Sequence, residues 1–99
     1  MEVKGPINES PFRGLDVLKL VHTDAVEILR ITLEAGALFP EHLSPTDAIL
    51  LVLDGDIQFH IASDTHRIRT MQYLQFGAGL PHHVKAATDS RFLIIRQRP

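Results

Sequence analysis

The sequence predicts an all-β fold, a small single-domain sandwich or barrel, on three observations. Turn-forming residues punctuate the chain at short intervals: Gly5-Pro6, Pro11, Gly14, Gly36, Pro40, Pro45, Asp54-Gly55-Asp56, Ser63-Asp64, Gly77-Ala78-Gly79, Pro81 and Asp89-Ser90. The runs between these marks are rich in Val, Ile, Leu and Phe and have the length of strands rather than helices. His42 and His82 each stand beside a glycine or proline turn, which aims both at the mouth of such a barrel.

Taken in order, the pattern places strands near 15–22, 26–34, 48–53, 57–62, 66–69, 73–75, 82–87 and 92–96. The segment 23–38 is the one serious helical rival, since Val26, Ile28, Leu29, Ile31 and Leu33 fill a helical face. Its β-branched residues and the need to pair neighbouring strands favour a strand. The run 48–53 is apolar on both faces, so it must be covered twice, by the barrel interior and by the N-terminal segment or a second subunit. Pairing with a twin is economical in so short a chain, and a homodimer is expected. Asp54-Gly55 is a hairpin signal, because glycine supplies positive φ and aspartate tolerates it. Ile57, Phe59 and Ile61 alternate with Gln58 and His60, the period of a strand between two different surroundings. Residues 1–99 read as one domain, with a core from about 15 to 97 and an N-terminal arm over 1–13. Pro6 and Pro11 argue against a central strand in that arm.

Composition excludes several function classes. At 99 residues, 44% hydrophobic and formal charge −2, the chain has the balance of an ordinary globular domain. That balance offers no general attraction to phosphate backbones, so nucleic-acid binding is not expected. The absence of cysteine rules out disulfides and thiolate metal sites, and fits a reducing cytoplasm. The first residues lack the basic and apolar regions of a secretion signal, and no apolar run approaches the roughly 20 residues of a membrane span. No Ser-His-Asp order, phosphate-binding glycine loop or paired-carboxylate motif is present.

Six histidines remain as the candidate chemistry. His22 and His66 read as surface strand residues, and His83, next to His82, faces away from it by strand alternation. His42 and His82 differ because of their frames. Gly36 is followed by five residues and then His42, and Leu53-Asp54-Gly55 closes that frame; Gly79-Leu80-Pro81-His82 forms the second.

In these two frames the chain resembles the cupin superfamily of small jelly-roll barrels, over about Leu33 to Arg96. The departures are as informative as the matches. The family's second histidine position holds Ser44, and its glutamate position holds Ala48, with Asp47 one residue away and by alternation pointing elsewhere. In the second motif Gly77 stands at the proline position, Met71 at the leading glycine and Ala86 at the asparagine.

The resemblance implies a cupin-type barrel whose pocket binds or senses a small metabolite. Its alternative is a metal-dependent enzyme of the dioxygenase, isomerase or lyase type. Cupins that bind metal use three histidines and a glutamate around a divalent ion, and imidazole with carboxylate suits Fe, Mn, Ni, Zn or Cu. Here His42 and His82 are the expected ligands of any such ion, with His60 as a third candidate if it faces inward beside Gln58. Ser44 and Ala48 leave that shell incomplete, so the expectation is one divalent transition metal or none. Ser44, Leu50, Val52, Gln58, Phe59, Met71, Tyr73 and Phe76 are the expected pocket residues, mostly apolar with a few convergent polar groups.

Overall fold

The computed structural model describes residues 1–99 and contains nine strands and no helix: β1 Leu15–His22, β2 Val26–Leu33, β3 Leu38–His42, β4 Ala48–Asp54, β5 Asp56–Ile61, β6 Asp64–Arg69, β7 Tyr73–Phe76, β8 His82–Ala86 and β9 Ser90–Gln97. No helix is long and apolar enough to cross a membrane. All pairs are antiparallel. They form a five-stranded sheet, β1-β2-β9-β4-β7, and a four-stranded sheet, β3-β8-β5-β6. The sheets face one another as a jelly roll and do not close, so the expected barrel is realised as two layers.

Alternation decides which side chains enter the space between the layers. On β5, Ile57, Phe59 and Ile61 are buried while Gln58 and His60 point away; on β8, His82, Val84 and Ala86 are buried while His83 and Lys85 point away. The helical rival for residues 23–38 fails for the same reason. Leu29, Ile31 and Leu33 fall on one face at period two and pair with Ile94, Phe92 and Ser90 of β9. With Leu50, Val52, Ile57, Phe59 and Val84 they form one continuous apolar core. The turn predicted at Asp54-Gly55 is present, with Gly55 at φ +116°, but the hairpin expected there is a correction: β4 and β5 belong to different sheets and do not pair, so the turn carries the chain from one layer to the other.

β3 is the strand that the sequence pattern does not announce. Pro40 interrupts it and most of its residues are exposed, but it is an edge strand paired only to β8, where a missing N–H is tolerated. Its pairing slips between Phe39, opposite Val84, and His42, opposite His82. Two residues, Pro40 and Glu41, thus oppose the single His83, a bulge that shifts the alternation by one. Without that extra residue His42 would point outward.

The N-terminal arm lies across the outer face of β2 and β9. Ser10 and Thr32 hydroxyls stand 2.9 Å apart, Arg30 Nη1 donates to the Ile7 carbonyl at 3.4 Å, and the Arg91 guanidinium lies 4.0 Å from the centre of the Phe12 ring. The arm does not reach the outer residues of β4. Ile49, Leu51 and Leu53 are half-buried beside Leu93 and Ile95 of β9, an apolar sheet face without a second layer of this chain.

Candidate functional site

At one open end of the sandwich two cross-strand rows meet. In the five-stranded sheet the register aligns His22, Glu27, Arg96, Ala48 and Phe76 on the inner face. In the four-stranded sheet it aligns His42, His82 and Ile61.

His42 and His82 approach through their Nε2 atoms at 2.9 Å, with ring centroids 4.1 Å apart and planes at 70°. His42 Nδ1 lies 2.7 Å from the Pro40 carbonyl and His82 Nδ1 lies 2.9 Å from the Leu80 carbonyl. A carbonyl only accepts, so both Nδ1 atoms carry hydrogen and donate. In their neutral forms both rings would then present bare Nε2 lone pairs to each other. A proton or another cation between them would satisfy both. His82 is 1% exposed, and its ring sits 4.8 Å from Phe76 and 5.4 Å from Phe59. Burial pushes the His82 pKa below its ordinary 6.5, aided by the positive charges of His42 and Arg96 and opposed by the Leu80 carbonyl.

Beside this pair lies a second polar group. Glu27 is buried; its Oε1 accepts from Arg96 Nη2 at 2.5 Å and Nε at 3.1 Å, and its Oε2 meets His22 Nδ1 at 2.8 Å and Lys19 Nζ at 3.8 Å. The Arg96 hydrogen bonds hold the Glu27 carboxyl below its ordinary 4.5 against the opposing effect of burial, with His22 and Lys19 adding to them.

The residues expected from sequence divide by strand parity. His42 and His82 are brought together, with Phe59 and Phe76 as walls. Leu50 and Val52 face inward but are wholly buried beneath the mouth, as part of the packed core. Ser44 is buried and its hydroxyl donates to the Thr46 carbonyl at 2.6 Å, so it is already committed. His60 and Gln58 are corrections: both project from the outer face of β5, where the His60 ring stacks on His83 at 4.4 Å and its Nδ1 meets the Thr65 hydroxyl at 2.9 Å. Met71 and Tyr73 are also corrections, exposed at 67% and 68% in and after the turn into β7. Sequence reasoning missed Phe39, whose ring lies 4.4 Å from that of His42, and the Glu27–Arg96 pair. Parity was the available signal for the pair, since Glu27 continues the inward series 29, 31, 33 and Arg96 the series 92, 94.

A metal centre can be tested on these side chains. Two ligands at about 2.0–2.1 Å from one ion and at right angles lie about 2.9 Å apart. The spacing of the two Nε2 atoms matches that edge, and Nδ1–H bonds to carbonyls are the orientation that metal-bound histidines use. No further His, Asp or Glu joins them into a group of three, however, and Ala48 brings no donor. Two imidazoles without a carboxylate fall short of the three or four protein ligands of the usual metal centres, so an ion here would be held weakly.

The family model described as Cupin domain matches residues 29–96. No curated protein matches the chain. Among solved structures, a conserved protein of unknown function from Streptococcus pyogenes is 27% identical over 86% of this chain and 75% of that one, at TM-score 0.79. A cupin superfamily protein from Desulfitobacterium hafniense superposes at TM-score 0.87 over 100% and 94% of the two chains, with 18% identity. The DMSP lyase DddQ from Ruegeria pomeroyi superposes at 0.78 over 86% of this chain and 47% of its own, with 17% identity. With a family match across most of the chain and the two-layer jelly roll of its structural relatives, this protein belongs to the cupin family.

Proposed function

We propose that the protein binds a small metabolite at the open end of the sandwich, with His42 and His82 as its polar anchor. The Nε2 contact between the two rings carries this reading. Both Nδ1 atoms are tied to the backbone, so the remaining hydrogen-bonding capacity of each ring is directed at its partner and at whatever enters between them. Phe39, Phe59 and Phe76 surround the pair with aromatic surface, the mixture of apolar wall and few polar groups that small-molecule sites use. The test is native mass spectrometry of protein purified from cells, alongside its His42→Gln/His82→Gln variant. A metabolite retained by the wild type and lost from the folded variant supports the reading; equal retention by both rejects it.

The second reading is a metal-dependent enzyme, with a divalent ion held weakly by the same two nitrogens. Their spacing favours it, and a lyase such as DddQ is built on a similar fold, which at 17% identity speaks to fold alone. Elemental analysis of untagged protein separates the readings. Stoichiometric Fe, Mn, Ni, Zn or Cu that disappears in the double variant puts the enzyme first.

We further propose a homodimer in which a second copy covers the outer face of the five-stranded sheet. Leu93 and Leu51 face each other in register there, with Ile95 and Ile49 beside them. A concavity of about 600 Å³ at the end of this sheet is lined by Val26, Ile49 and Ile95 of this face and by Ala48, Phe76 and Arg96 of the other. Burying such a face against its twin is the commonest symmetric solution.

A further inference from the structure

We infer that Tyr73 of each copy seats in the concavity at the end of its twin's five-stranded sheet. This rests on the homodimer proposed above and assigns the residue that each copy contributes.

One edge strand carries both halves of the contact. Along β7 and the residue after it, Tyr73, Gln75 and Gly77 alternate toward the outer face, while Leu74 and Phe76 pack inward. Tyr73 projects, at 68% exposure, whereas Gly77 has no side chain. Of the large apolar residues exposed on the chain, Tyr73 is the one that belongs to β7, β4 or β9. The concavity of about 600 Å³ opens at the glycine end. Half-buried Val26, Ile49 and Ile95 form its apolar floor, and exposed Asp47, Gln75 and Gln97 form its polar rim.

Knob and hollow lie four residues apart on one strand, about 13 Å. A face with both features is complementary to itself. In a twofold pair the contact of residue i with residue j recurs as j with i, so one relationship supplies two contacts. A twofold axis lying across β7 near Gln75 sets the two β7 strands antiparallel, one above the other. Each Tyr73 then stands over the partner's Gly77.

Tyrosine suits this hollow better than an aliphatic side chain. Its ring rests on the apolar floor while its hydroxyl reaches the rim. There Asp47 accepts from the Ala78 N–H through Oδ1 at 3.0 Å, and its second oxygen has no partner in the chain. The surroundings have the composition of an interface. Outward positions Ile49, Leu51, Leu53, Leu93 and Ile95 carry no charge, as at the centres of interfaces, where tyrosine is enriched. A stable contact of about 800 Å² per partner is a patch roughly 30 Å on a side, within the 40 × 30 Å breadth of the chain.

The test is subunit complementation. Tyr73→Ala removes the knob. Gly77→Leu fills the hollow without strain, since Gly77 lies outside the left-handed region and a β-carbon there meets only Asp47 Oδ1, at 4.0 Å. Sedimentation equilibrium gives the dimer dissociation constant of each protein, and native mass spectrometry counts heterodimers in an equimolar mixture. Each single variant should weaken the dimer about 30-fold or more, the size of a buried hot-spot residue, with unchanged far-ultraviolet circular dichroism. Mixed, the two variants should form heterodimers beyond the share expected from random pairing. The Gly77→Leu copy still offers its tyrosine, and the Tyr73→Ala copy still offers an open hollow. A Tyr73→Ala dimer as tight as that of the wild type, or random pairing in the mixture, overturns the Tyr73 contact. If Leu93→Glu nevertheless dissociates the wild-type pair, the covered face stands without that contact. A wild type that is monomeric throughout the micromolar range overturns both.

Discussion

Ser90 occupies the space that a side chain on Gly55 would need. A β-carbon built on Gly55 would stand 2.2 Å from the Ser90 hydroxyl oxygen and 2.6 Å from its α-carbon. The serine cannot yield, since it is fully buried; its hydroxyl accepts from the Asp56 N–H at 3.0 Å and donates to the Thr88 carbonyl at 2.8 Å. Gly55 also holds φ +116°, a left-handed conformation that side chains avoid. Gly55→Ala is therefore expected to cost at least about 2–3 kcal/mol, from strain and overpacking together. Urea unfolding measures it, and a loss below about 1 kcal/mol would mean that the turn between the layers relaxes.

His82 should support the fold as well as any ligand. Its ring is enclosed by Phe59, Phe76 and His42, and its removal leaves a cavity between the layers. His82→Ala is expected to destabilise by about 2–4 kcal/mol, in the range of a large buried side chain cut to a methyl. His42 is less buried and on an edge strand, so His42→Ala should cost about 1 kcal/mol. Parallel urea titrations compare the two; equal costs would place His42 in the core.

Legibility followed strand parity. The turn at Asp54-Gly55 and the inward set Ile57, Phe59 and Ile61 could be read directly, because both need only local sequence, whereas the hairpin expected at that turn fails because pairing is decided by the sheets, and β4 and β5 lie in different ones. The meeting of His42 and His82 came from their glycine and proline frames, and the structure puts the rings in contact across 40 residues. His60 shows the limit of that approach. Phe59 and His60 cannot both face inward from one strand, and the larger apolar ring takes the core. Edge strand β3 was missed because Pro40 and Glu41 break the alternation, and that bulge is what turns His42 inward. Buried Glu27 drew no expectation at all, although its parity matches the core residues that follow it.

Glu27 should make the protein sensitive to acid. Its folded carboxyl is held below the ordinary 4.5 chiefly by Arg96, so the folded state binds fewer protons than the unfolded one in that region. Stability from this group is present above about 4.5 and is lost as pH falls through the folded value. At neutral pH Glu27→Gln is expected to cost about 1–3 kcal/mol, because it leaves Arg96 without its counter-charge. Below pH 4.5 the gap between wild type and variant should close. Thermal midpoints across pH 3–7 provide the measurement, and a constant gap would show that the Arg96 link does not depend on the charge of Glu27.

The outer face of the five-stranded sheet supplies a prediction about assembly. Leu51 and Leu93 are in-register neighbours on β4 and β9, half-buried within one chain, and Tyr73 stands exposed in register with Leu51. A stable pair needs about 800 Å² buried per partner, which a five-stranded face can supply. Leu93→Glu places a charge in the middle of this surface without entering the core, since Leu93 points away from Phe92 and Ile94. The wild type should therefore sediment as a dimer and Leu93→Glu as a monomer with unchanged far-ultraviolet circular dichroism. The His42–His82 pair lies on the inner side of the fold, so the monomeric variant should keep its imidazole signals. A wild type that sediments as a monomer throughout the micromolar range would remove the twin as the cover for Leu51 and Leu93.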